Sequence, residues 1–72
     1  MLIKNFKLDV TKDAITSMIL SMGAQSVQQL KREVSIQAYP SKFEEALREL
    51  VEAGSIVYET EFNTYDTAED YY

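Results

Sequence analysis

The sequence predicts a single compact α+β domain: a short strand, three helices and a β-hairpin, in that order. Three observations carry this. Within PSKFEEALRELVEAGSIVY, from Pro40 to Tyr58, the residues Phe43, Ala46, Leu47, Leu50 and Val51 recur at the i, i+3, i+4, i+7, i+8 spacing of one helix face. After Gly54 the pattern changes to period 2, with Ile56, Tyr58 and Phe62 on one side, so a helix is expected to turn into a strand. The chain has 72 residues, enough for one domain that buries about 60% of the surface its unfolded form exposes.

The elements follow in order. Leu2 to Leu8 (LIKNFKL) has apolar residues at Leu2, Phe6 and Leu8 with Lys4 and Lys7 between them, a short strand with one apolar side and lysines suited to a sheet edge. Thr11 is expected as an N-cap, with Val10 and Ile15 as its hydrophobic staple. The first helix then runs from about Lys12 to Met22 with an inner face of Ile15, Met18, Ile19 and Met22, and Gly23 ends it. Ser26 with Gln29 forms a capping box that opens a short helix carrying Val27, Leu30 and Val34 inward and Lys31 and Arg32 outward. Ser35 to Tyr39 joins it to the third helix, with Ile36 as the plug between them and Pro40 confining the join. Ser41 with Glu44 reads as another capping box. A last strand is expected inside Tyr65 to Tyr72, so residues 1–64 form the domain and residues 65–72 its acidic tail or final strand. The predicted core is Leu8, Ile15, Met18, Ile19, Leu30, Val34, Ile36, Phe43, Leu47, Leu50, Val51, Ile56 and Tyr58.

Composition excludes whole classes of chemistry. With no cysteine and no histidine, disulfides, thiol nucleophiles, imidazole bases and zinc sites built on those ligands are ruled out. Two glycines cannot make a phosphate-cradling loop. The carboxylates Glu44, Glu45, Glu49 and Glu52 read as the solvated side of a helix, so no catalysis and no cofactor are expected. Asp66, Glu69 and Asp70 lack the alternation and central glycine of a calcium loop, so they read as a solvated tail and no metal is expected. No apolar run is longer than that of Met18-Ile19-Leu20, which leads to the expectation of a soluble, cytoplasmic protein with no membrane partner.

The net charge is −5, and its distribution matters more than its sum. Residues 1–52 hold seven Lys or Arg against seven Asp or Glu, whereas residues 53–72 hold five acids, Glu59, Glu61, Asp66, Glu69 and Asp70, and no base. Phosphate backbones repel such a surface.

The order of elements, with SVQQL (Ser26 to Leu30) and ALRELVEAGSIV (Ala46 to Val57), resembles the winged helix-turn-helix superfamily over about residues 11 to 62. The resemblance implies a compact winged helix in which the third helix enters the DNA major groove and the wing carries Arg or Lys. Here the exposed third-helix residues are Ser41, Lys42, Glu44, Glu45, Arg48, Glu49 and Glu52, with Arg48 placed to pair with Glu44 and Glu52, and the wing carries Glu59 and Glu61. The expected function is therefore a non-catalytic regulator that binds a basic, nucleic-acid-handling protein through Glu45, Glu49, Glu52, Glu59, Glu61 and Tyr65. In size and charge the chain resembles accessory and host-takeover proteins of phages and mobile elements. The alternative is a dimeric DNA-binding transcription regulator using Lys31, Arg32, Lys42 and Arg48, with further bases at Lys4, Lys7 and Lys12. Two readings stand for Tyr65, Tyr71 and Tyr72: a fraying terminus, or an acidic, tyrosine-rich docking surface.

Overall fold

A computed structural model of the chain describes residues 6–68. Along them run α1 (Phe6–Met22), α2 (Val27–Gln37), a 3₁₀ turn (Pro40–Lys42), α3 (Phe43–Glu52), β1 (Ile56–Glu59) and β2 (Thr64–Thr67). Three helices and a two-stranded antiparallel sheet make an α+β domain.

α1 begins earlier than the sequence predicts. Leu8, Thr11, Ile15 and Ile19 are all buried, and their spacing of three and four residues is one continuous helical stripe. Phe6, Lys7 and Leu8 are therefore helical, not the end of a strand, and residues 2–5 of that expected strand lie outside the described residues. Thr11 is not an N-cap. Its hydroxyl donates to the Lys7 carbonyl at 2.8 Å, the back-bond open to threonine inside a helix, and accepts from the Tyr39 N–H at 3.3 Å. This ties the segment after α2 to the middle of α1. With α1 continuous through Thr11, Val10 and Ile15 are helix-interior residues and form no staple. Met18 is half-buried against the core and Met22 is exposed, off the inner face assigned to it. Gly23 closes the helix as expected, at φ 91° with its N–H on the Ile19 carbonyl at 2.8 Å.

The capping box that opens α2 forms as predicted. Gln29 N–H donates to Ser26 Oγ at 3.2 Å, and Ser26 N–H donates to Gln29 Oε1 at 3.0 Å. Leu30 and Val34 are buried, but the helix does not stop there and continues through Ser35 and Ile36. Ile36 follows Val34 by two residues, about 200° round the axis, and so points outward. It is 72% exposed and plugs nothing.

Pro40 opens a 3₁₀ turn in front of α3, and that turn absorbs Ser41. Lys42 becomes the N-cap with no side-chain hydrogen bond, so the Ser41–Glu44 capping box does not form. The buried face of α3 is Phe43, Ala46, Leu47 and Leu50. Its C-terminus is a Schellman motif: Ser55 N–H reaches the Leu50 carbonyl at 2.9 Å and Gly54 N–H the Val51 carbonyl at 3.0 Å, with Gly54 at φ 80°.

The core joins Leu8, Ile15 and Ile19 of α1 to Leu30, Val34, Phe43, Ala46, Leu47, Leu50 and Ile56. Three residues expected there are exposed instead: Ile36, and Val51 and Tyr58 at 40% and 42%. Strands β1 and β2 pair from Ile56↔Thr67 to Glu59↔Thr64, so Ile56 and Tyr58 share one sheet face. Ile56 meets the helices, whereas Tyr58 packs on its cross-strand partner Tyr65 and keeps its other side exposed. On its other edge β2 is held by Gln25, from the turn between α1 and α2. Gln25 N–H donates to the Tyr65 carbonyl at 3.0 Å and Tyr65 N–H to the Gln25 carbonyl at 2.8 Å.

Candidate functional site

The acids predicted to form one contact face have different surroundings: lysines engage Glu45 and Glu49, Glu52 borders a groove, and Glu59 and Glu61 are at the hairpin. Glu45 and Glu49 lie on the flank of α3 that faces α1 and the 3₁₀ turn. There Lys12 Nζ meets Glu49 Oε1 at 3.0 Å, and Lys42 Nζ stands 3.9 Å from Glu45 Oε1. These pairs are partly solvated, so their worth to stability is small, but they lower the charge this flank offers a partner.

The neighbouring flank of α3 turns toward the hairpin. Glu44, Leu47, Arg48, Val51 and Glu52 line a shallow groove of about 430 Å³ with Tyr65 of β2 as its far wall. Tyr65 is packed against the core and stacks at 4.9 Å on Tyr58, the rings tilted by 48°. The lining is mostly apolar with a charged rim. The predicted pairing of Arg48 with Glu44 and Glu52 is not made: among the described residues Arg48 has no carboxylate within 4.0 Å.

The hairpin tip is Thr60 to Asn63, with Tyr58 and Glu59 leading into it. Phe62 N–H donates to the Glu59 carbonyl at 3.2 Å, closing a turn, and Asn63 at φ 53° directs the chain into β2. Asparagine tolerates that left-handed conformation better than most residues. The Tyr58 hydroxyl, 2.6 Å from Asn63 Oδ1, donates to it and braces the tip. Phe62, expected from the sequence on the apolar side with Ile56, is 68% exposed and shares a shallow pocket with Glu59 and Glu61.

No protein-family model, curated protein or solved structure matches the chain. The bases named for the alternative, DNA-binding reading are dispersed. Lys31 Nζ lies 6.0 Å from the Phe43 ring centroid and Lys42 is beside it in the 3₁₀ turn, while Lys7 of α1 stands 5.5 Å from the Tyr39 ring centroid. Arg32 instead borders a shallow pocket with Met18, Met22, Gln25 and Gln29, and Arg48 is in the groove beside α3. Lys4, Glu69, Asp70, Tyr71 and Tyr72 lie outside the described residues. Among the described residues no group of three Asp or Glu gathers to hold a metal ion, and no helix is long and apolar enough to cross a membrane.

Proposed function

We propose that the chain is a small non-catalytic regulator of winged-helix type that binds a basic protein through its acidic hairpin and the outward acids of α3. The order of three helices and a hairpin, with Gly54 turning α3 directly into β1, supports the winged-helix reading. One observation carries the functional part: the hairpin tip presents an exposed phenylalanine in one shallow pocket with Glu59 and Glu61, on a stretch with no compensating base. Residues 53–68 contain Glu59, Glu61 and Asp66 and neither Lys nor Arg. An aromatic side chain on a stiffened turn fits the role of an interface anchor, because little conformational freedom is lost when it is buried. Nearby carboxylates steer it toward a pocket rimmed by Lys or Arg and away from phosphate. In a winged helix that reads DNA, the third helix and wing approach the phosphates; here those surfaces carry Glu44, Glu52, Glu59 and Glu61.

The test is a charge reversal. Glu59→Lys with Glu61→Lys is compared with the wild-type chain against proteins captured from lysate and against genomic DNA fragments. A basic protein partner should bind the double variant with a slower on-rate, and the difference should shrink as salt is raised. Duplex DNA should bind the variant more tightly than wild type, because repulsion has been removed. A captured protein that binds both forms equally well at low salt would remove the hairpin from the interface.

A further inference from the structure

We propose that the groove beside α3 is a self-association site, in which a second copy of this chain docks with its own α3 antiparallel to the first. The site shares Glu44 and Glu52 of α3 with the partner surface proposed above but not the hairpin tip, so failure to self-associate would leave that reading standing.

The groove sets narrow conditions on its occupant. Its floor and far wall are apolar, from Leu47, Val51 and Tyr65, and Val51 is 40% exposed. Its rim runs Glu44, Arg48, Glu52 along α3, one residue per turn, so charges alternate in sign about every 6 Å. A uniformly basic helix would satisfy Glu44 and Glu52 but be repelled by Arg48. A uniformly acidic one would meet the reverse problem, and a phosphate backbone would face two carboxylates. The rim suits an apolar helix edge bearing an acid and a base one turn apart in the opposite order.

α3 is such an edge. Glu44, Arg48 and Glu52 read the same in both directions, so two antiparallel copies match when the two-fold axis lies between Arg48 and Glu52, with Glu44 of each left outside the paired stretch. Arg48 of one copy then meets Glu52 of the other, and Glu52 meets Arg48, with Val51 near the axis. This is the self-complementarity that an isologous interface requires. On the other flank of α3 the acids Glu45 and Glu49 already have lysine partners within the chain, whereas Arg48 has no carboxylate within 4.0 Å among the described residues. One α3 edge against another is smaller than the roughly 800 Å² per partner of a standard interface, so the dimer is a weak one, in the micromolar range or above.

Sedimentation velocity of the full chain in low salt, from about 1 µM to about 1 mM, tests the proposal. The wild-type weight-average mass should rise from 8.3 kDa toward its double across that range. Arg48→Glu and Glu52→Arg should each weaken association at least about tenfold, since each places like charges opposite one another twice. An equimolar mixture of the two variants should associate again, because one copy then carries acids at both positions and the other carries bases at both. The double variant R48E/E52R should likewise regain association with itself. Far-UV circular dichroism and melting of each variant separate a lost interface from a lost fold. A wild-type chain that stays monomeric throughout overturns the proposal, as do single variants that associate like wild type or a mixture that fails to recover.

Discussion

Replacing Gly54 by the two mirror forms of alanine isolates the handedness of the turn between α3 and β1. Gly54 sits at φ 80° as the residue after the helix cap, and a Cβ built on it has no heavy-atom neighbour within 4 Å. Crowding is therefore excluded as a cost, and only the backbone preference remains. For an L-residue the left-handed region costs about 1–2 kcal/mol, so Gly54→Ala should destabilise the domain by that amount. Gly54→Val should cost more, because a β-branched side chain tolerates positive φ least. D-alanine prefers positive φ, and by restricting the unfolded chain it should stabilise by about 0.4–1 kcal/mol. In a domain of this size each kcal/mol moves the melting midpoint by about 4–8 °C, so L-alanine should lower it by roughly 4–16 °C and D-alanine raise it by roughly 2–8 °C. A chain of 72 residues is within reach of chemical synthesis, and thermal melts followed by circular dichroism read both shifts. If D-alanine destabilises as much as L-alanine, conformational handedness is not what glycine supplies there, and the Schellman hydrogen bonds do not set the helix end.

Thr11→Val keeps the shape of a fully buried side chain but removes the acceptor for the Tyr39 N–H. A loss of about 1–2 kcal/mol is expected by denaturant melts, with Thr11→Ser retaining more of the stability; equal stability of wild type and the valine variant would mean that packing alone holds this site. Ile36→Ser should stay within about 0.5 kcal/mol of wild type, while Leu30→Ala, in the same helix but fully buried, should cost about 2–5 kcal/mol, and a reversal of that order in urea titrations would mean α2 presents its other face to the core.

Much of this arrangement is legible in the sequence wherever one residue type has one physical job. Ser26 with Gln29 marks a helix start, and Gly23 and Gly54 mark helix ends, because few other residues supply those caps or that φ. The errors arise where a residue has two jobs. Threonine is both a good N-cap and a buried, back-bonded helix residue, and reading Thr11 as a cap cuts α1 in two. Leu8 is thereby detached from the stripe it shares with Ile15 and Ile19, and its alternation with Phe6 then mimics a strand. Pro40 offers the same ambiguity. It reads as confining a loop, yet it is also suited to the first position of a helical turn, and that turn displaces the Ser41 cap. Once α2 is allowed to continue through Ser35, the outward position of Ile36 follows from helical geometry alone.

The candidate site is less legible than the fold because its charges sort by tertiary neighbours that spacing along the chain does not reveal. Glu45 and Glu49, one turn apart, look like an acidic stripe in the sequence, yet the packing of α1 against α3 brings Lys12 from 37 residues away to within 3.0 Å of Glu49. Conversely, the i, i+4 pairs of Arg48 with Glu44 and Glu52 are readable from spacing and are not made, since such exposed pairs are worth only about 0.2–0.5 kcal/mol and do not compel their geometry. Phe62 and Tyr58 follow the same logic for apolar groups. Period-2 alternation assigns a side of the sheet, but burial also needs something to cover that side. Both strands are four residues long, Ile56 and Tyr65 occupy the contact with the helices, Tyr58 is left to stack on its cross-strand partner Tyr65, and Phe62 in the turn is left in solvent. The exposed aromatic at the tip thus lies in the turn, beyond the residues that meet the helices. That placement keeps the tip out of the groove: an interface built along α3 leaves the tip of each copy free. A dimer would then present two acidic tips at once, and a partner able to engage both would gain from effective concentration without any new contact.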